Sequence, residues 1–179
     1  MQAEQGSAMG GILKVLRSTA AAAIVLGLLT NLAAAKPFEL PESKPIVTIS
    51  LPDAWGPEEI AKGVQANSPD TGIYVSFEID NIKNTDKVIL DGVKFLAESG
   101  VKIDPASEKR GEAKVNGIDM IDINWTGVYE GSVAKVSLTI AVLSPAKIGL
   151  LTYWGSPSAE KKYAAQLDGI LKSIQPLGQ

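Results

Sequence analysis

Apolar and polar residues alternate with period two through much of this chain, and two stretches switch to helical spacing. Val47, Ile49 and Leu51 alternate with Thr48 and Ser50 between Pro45 and Pro52, which predicts a half-buried strand. Pro37, Pro41, Pro45 and Pro52 punctuate this entry segment, and Pro belongs at strand starts, edges or ends. Pro57 followed by Glu58 and Glu59 predicts the opening of a short helix, and residues 62–72 carry turn chemistry through Ser68-Pro69-Asp70 and Gly72. From Ile73 to Ile79 a second strand sets Ile73, Val75, Phe77 and Ile79 against Tyr74, Ser76, Glu78 and Asp80.

Past a polar turn at 81–86, with Thr85 or Asp86 as the expected cap, Val88, Ile89, Val93 and Leu96 recur at helical spacing. Gly100 sits where a left-handed cap would end that helix. Period two then returns. Arg110–Val115 and Ile118–Thr126 flank Asn116-Gly117, a strong signal for a tight hairpin, with Ile121, Ile123 and Trp125 on one face. Glu130-Gly131 marks the next turn, and Val136–Val142 and Ile148–Trp154 follow as strands on either side of Ser144-Pro145. Ser156 as cap and Pro157 as first residue open a closing helix, with Tyr163, Leu167, Ile170, Leu171 and Ile174 on one stripe.

Residues 1–35 stand apart from this pattern. Lys14 and Arg17 precede a short apolar run, and Ala33-Ala34-Ala35 offers a small-residue cleavage site, so the segment reads as a secretory signal. The run of about 12 apolar residues is shorter than the ~20 needed to cross a bilayer, so no permanent span is expected after cleavage. A single domain over residues 36–179, periplasmic or secreted from a bacterium, is the expectation. Removing Lys14, Arg17 and Glu4 leaves 15 basic against 19 acidic residues, interspersed in sign. That balance disfavours a sequence-independent grip on nucleic acid.

The chain has no His and no Cys. Ser-His-Asp triads, Cys nucleophiles, His-ligated zinc and lipobox anchoring are thereby excluded. No phosphate-binding glycine motif occurs, and the run Glu78, Asp80, Asn84, Asp86 fails as a calcium loop because Ile82 occupies a ligand position. No cofactor and no metal are expected. The remaining enzymatic option is a carboxylate-based hydrolase of envelope polymers using Asp119 or Asp122, but residues three apart on a strand point to opposite faces. The sequon Asn124-Trp125-Thr126 falls inside a predicted strand.

Order and punctuation together resemble the PsbP-like family, named for an extrinsic protein of photosystem II. The resemblance is carried by the Leu51-Pro52 and Trp55 entry, the Ser68-Pro69-Asp70 turn, the helix around 88–98, the long strands after it and the closing helix over 157–174. It implies an α+β fold, an antiparallel sheet with helices on both faces in an α/β/α sandwich. It also implies a non-enzymatic accessory role. On that reading the protein binds another envelope protein or a small apolar ligand. Trp55, Trp125 and Trp154 are expected in the core. The candidate binding residues are Tyr74, Tyr129, Tyr153 and Trp154, with Tyr74 and Tyr129 expected to be the exposed ones. Tyr153 and Trp154 project to opposite faces, so only one of them can line a given groove.

Overall fold

The computed structural model describes residues 34–178. The expected signal segment therefore lies, up to residue 33, outside the described residues. Ala35 opens β1 (Ala35–Leu40), which pairs antiparallel with β2 (Val47–Pro52). Phe38 stands opposite Ile49 and Leu40 opposite Val47, so the apolar alternation of β2 is doubled by its neighbour. Alternation marks β2 in the sequence, whereas Pro37 hides β1. A 3-10 turn at Asp53–Trp55 then tucks Trp55 into the core and ends at Gly56, φ 58°.

Pro57 does not open a helix. Glu58–Ile60 is β3, hairpinned to β4 (Gly63–Asn67) with Glu58 opposite Gln65. Three residues with one apolar side chain have no stripe to bury as a helix, whereas the ladder satisfies their backbone. Gly63 is required by close approach: a Cβ there would lie 1.9 Å from the Phe77 carbonyl oxygen. Turn chemistry is confined to Ser68–Gly72. The Ser68 hydroxyl donates to Asp70 Oδ1 at 2.8 Å and accepts the Ile73 N–H at 3.0 Å.

β5 (Ile73–Asn81) leads into α1 (Thr85–Glu98). The helix is preceded by Asn84, whose side chain does not cap it, in place of the Thr85 or Asp86 cap anticipated; Thr85 Oγ1 instead donates to the Ile82 carbonyl. Gly100 closes α1 at φ 84°, as its position suggested. Next come β6 (Lys102–Ile103), β7 (Lys109–Val115), β8 (Ile118–Tyr129), β9 (Ser132–Ser144) and β10 (Lys147–Gly155). Both hairpin turns hold two consecutive residues at positive φ, Asn116 (50°) with Gly117 (84°) and Glu130 (48°) with Gly131 (77°), the requirement of a type I′ turn.

The closing helix is two helices. α2 (Pro157–Lys162) and α3 (Ala164–Ser173) break at Tyr163, φ −106°, before β11 (Gln175–Pro176). Tyr163 turns in against Trp55, ring centroids 5.5 Å apart at 77°. Ile170 and Ile174 are buried as the stripe predicted, while Leu171 is left exposed.

All pairings are antiparallel. A small sheet has the order β1-β2-β11, and a large one β3-β4-β5-β10-β9-β8, whose outer edge is shared by β7 and β6. One face of the large sheet packs under α1 through Trp125, Val136, Leu138, Leu150 and Trp154. At Gly92 the helix comes so near that a Cβ would sit 3.1 Å from Leu138 Cδ1. The other face carries Ile73, Val75, Phe77 and Met120 against the small sheet, Tyr163, Ile170 and Ile174. Helices therefore cover both faces, and all three Trp are buried. β8 and β9 outrun α1, which is why Ile121, expected in the apolar face, is 43% exposed. Among the described residues no helix is long and apolar enough to cross a membrane.

Candidate functional site

On the face away from α1, the small sheet and α3 cover β4, β5 and β10 but leave part of β9, β8 and β7 open. The residues there are polar by alternation: Lys135 and Ser137 on β9, Asn124 and Thr126 on β8. The ladder sets Tyr153, Ser137, Asn124 and Lys109 side by side across four strands, with Lys135 opposite Thr126 in the adjoining row. α2 forms the wall. Ser156 starts it by accepting the Ala159 N–H at 3.2 Å, and one turn on Glu160 reaches over the sheet. A groove of about 450 Å³ results.

Glu160 organises one end of this groove. Tyr153 Oη donates to Glu160 Oε1 at 2.9 Å, and Lys135 pairs with Glu160 Oε2. Burial, and then the Glu160 charge, push the Tyr153 phenol well above its ordinary pKa, so it stays a protonated donor. At the other end the Ser107 hydroxyl accepts the Thr126 N–H at 2.8 Å and donates to the Asp104 carbonyl at 2.6 Å. Lys109 adds a cation at the rim. The site offers amide, hydroxyl and ammonium groups around a tyrosine ring, on a lining surface that is mostly apolar.

Of the four anticipated binding residues, only Tyr153 lines the groove. Trp154 projects to the α1 face, where Tyr74 stacks on it at 4.0 Å and 14° and Tyr129 lies 5.7 Å away. These three do converge, but as core. Tyr74, expected exposed, is 6% exposed because Phe95 of α1 and Trp154 lie against it, and Tyr129 is half-buried beside Trp154. Lys135, Ser137, Asn124 and Glu160 were overlooked. The signal for the first three was a polar run (Lys135, Ser137, Thr139) on one face of a long strand, facing a second polar run (Asp122, Asn124, Thr126) on its neighbour.

The two aspartates considered for hydrolysis do project to opposite faces. Asp119 pairs with Lys114 at 2.8 Å, and Asp122 accepts from Thr139 Oγ1 at 2.7 Å on the groove side. The Asn124-Trp125-Thr126 sequon is part of β8.

No family model matches the chain, and no curated protein matches its sequence. Solved structures do match its architecture. The cyanobacterial PsbP (CyanoP) of Synechocystis aligns over 83% of this chain and 95% of its own, with a TM-score of 0.55 and 8% identity. LpqN of Mycobacterium tuberculosis, described as involved in cell envelope biogenesis, aligns over 80% of this chain and 92% of its own, with a TM-score of 0.50 and 10% identity. At such identities the likeness concerns the backbone and carries no residue roles. The chain has the PsbP-like fold, an antiparallel α+β sandwich with helices on both faces.

Proposed function

We propose that this protein is an exported, non-catalytic accessory protein of the cell envelope that binds a small ligand in the groove beside Tyr153. The observation that carries the reading is the groove itself: its volume of about 450 Å³ falls within the ~300–1,000 Å³ typical of ligand sites. Its lining of Asn124, Ser137, Lys109 and Lys135 suits a ligand with polar or anionic groups around a small apolar body. Export is supported by the signal-like residues 1–35, and an envelope role by the description of LpqN as an envelope-biogenesis protein. The opposed projection of Asp119 and Asp122 speaks against a hydrolase built on that pair.

The test is a thermal-shift screen of the purified protein against envelope metabolites, alongside a Ser137→Trp variant that fills the groove. A ligand at 100 times its Kd stabilises by about 2.7 kcal/mol, an easily read shift. Stabilisation seen in the wild type and lost in Ser137→Trp supports the reading. Equal stabilisation of both proteins, or no response across the panel, refutes it.

A further inference from the structure

β7 lies at an open edge of the large sheet. It pairs with β8 on one side, and among the described residues no strand pairs with its other side. Lys109 to Lys114 are all exposed. The register with β8 runs unbroken from Val115 opposite Ile118 to Lys109 opposite Asn124. Val115 and Ile118 close a two-residue turn as a hydrogen-bonded pair, and such pairs alternate along an antiparallel ladder. Val115, Ala113, Gly111 and Lys109 therefore bond to β8, while Arg110, Glu112 and Lys114 direct their N–H and C=O groups outward.

Charge commonly blunts an open edge. Here the charges form a pattern. Glu108, Arg110, Glu112 and Lys114 share one face and alternate in sign, and Arg110 Nε lies 2.9 Å from Glu108 Oε1. Turned end for end, that series is its own complement. When two copies of β7 pair antiparallel about Gly111, Arg110 meets Glu112 of the second copy and Glu108 meets Lys114 of the second copy, each twice by symmetry. The outward backbone groups restrict a regular ladder to registers two residues apart. A slip of two either way sets Glu112 against Glu112, or Arg110 against Arg110. Like charges directly opposite destabilise a sheet, and opposite charges stabilise it. The edge thus favours one antiparallel register with itself.

Gly111 supplies an independent sign. Glycine weakens a strand interior, and its presence there often marks the close approach of another backbone. Nothing within the single chain calls for it: Gly111 has no positive φ, and a Cβ there would meet no atom within 4 Å. In the self-paired register Gly111 lies on the two-fold axis. It faces Gly111 of the second copy in a non-hydrogen-bonded pair, where Cα atoms approach to about 4.5 Å. Glu112 makes no ion pair among the described residues, and Arg110 of the second copy supplies one.

We propose that β7 is a self-association edge, through which two copies of this chain join antiparallel about Gly111 into one continuous sheet. The contact is isologous, the same segment serving both copies. One strand from each copy is a small contact beside the ~1,600 Å² of a stable complex, so the association is weak and reversible. It goes beyond the Tyr153 groove reading and does not depend on it, although Ala113 of the second copy comes to lie beside Lys109 at the groove rim.

The test is sedimentation velocity of the purified protein from about 10 µM to about 1 mM, with amide hydrogen exchange at both ends of that range. A monomer–dimer equilibrium is expected. The Arg110, Glu112 and Lys114 amides should gain protection with concentration, while those of Gly111 and Ala113, already bonded to β8, change little. Arg110→Glu sets like charges opposite at two points and should weaken the dimer about tenfold. The double swap Arg110→Glu with Glu112→Arg restores opposite charges in the same register, and should recover association to within about threefold of wild type. All these side chains are exposed, and circular dichroism confirms that each variant is folded. A monomer throughout the range, protection gained at β3 (Glu58–Ile60) on the opposite edge instead, equal association of wild type and Arg110→Glu, or no recovery in the double swap would each overturn the proposal.

Discussion

Trp154 lies flat on Tyr74, ring centroids 4.0 Å apart and planes 14° from parallel, and both rings are buried. The two side chains stand directly opposite on β10 and β5, so the ladder itself delivers the stack. Phe95 and Tyr129 close around it. Trp154→Ala should therefore destabilise by about 3–5 kcal/mol, and Trp154→Phe, which keeps a ring against Tyr74, by clearly less. Urea unfolding followed by far-UV circular dichroism measures both; equal costs would show that the stack adds nothing to simple volume.

β11 pairs with β2 only at Thr48 and Val47, leaving the edge of β2 open beyond them. There the Ser173 hydroxyl accepts the Ser50 N–H at 2.8 Å and donates to the Ile170 carbonyl at 2.7 Å. Ser173→Ala strands a part-buried amide, a cost of about 1–3 kcal/mol. Hydrogen exchange gives the sharper readout: the Ser50 amide should lose protection ahead of Ile49 and Leu51, and unchanged protection would contradict the bond.

Asn116 has two tasks. It holds positive φ in the β7–β8 turn, and its Nδ2 donates to the carbonyls of Lys172 and Ile174 at 2.7 and 2.8 Å. Asn116→Gly keeps the backbone conformation and loses both bonds, for about 1–3 kcal/mol. Asn116→Ala loses both and adds roughly 1–2 kcal/mol of left-handed strain. Thermal denaturation of the pair should rank Ala below Gly, and the reverse order would assign Asn116 no role in the turn.

Glu78 is held above its ordinary pKa by burial, facing Lys62, Asp80 and Asp91. Because the folded value exceeds the unfolded one (about 4.3), the folded state binds the proton more tightly. The protein therefore gains stability from this group as pH falls from the folded value through the unfolded one. Glu78→Gln should accordingly be more stable than wild type at pH 7, and the gap should close near pH 3.5, where Asp80 at about 2 is still ionised. Chemical denaturation at both pH values checks the sign. A variant less stable at pH 7 would mean that Glu78 has an unseen partner in the folded protein.

Alternation and turn chemistry carried most of the architecture. Every long strand from β5 to β10 was legible, as were both I′ hairpins at Asn116-Gly117 and Glu130-Gly131, because period two and positive-φ residues are local signals. β1, β3 and β4 were not legible: Pro37 reads as an interruption, Pro57 as the start of a helix and residues 62–72 as a turn, and what makes those segments strands is a partner elsewhere in the chain. The break at Tyr163 is likewise tertiary: Trp55 draws the ring inward, and no local residue announces it.

The sites were harder to see for a related reason. Alternation sorts Tyr74, Ser76, Glu78 and Asp80 onto one face but is silent about what covers that face. α1 covers it, burying Tyr74 and enclosing Glu78. Glu160 reaches the groove from a helix seven residues beyond Tyr153, and nothing in the strand sequence marks Tyr153 as its partner.

The small sheet imposes an order of assembly. Its middle strand, β2, takes β1 from the beginning of the described chain on one edge and β11 with Ser173 from its end on the other. Ile49, Leu51 and Val47 belong to the larger core only through that middle strand. A chain lacking residues 173–176 would leave β2 with a bare edge, however completely β3 to β10 had paired. The native packing of β2 therefore waits for these four residues, which close the small sheet from far along the chain.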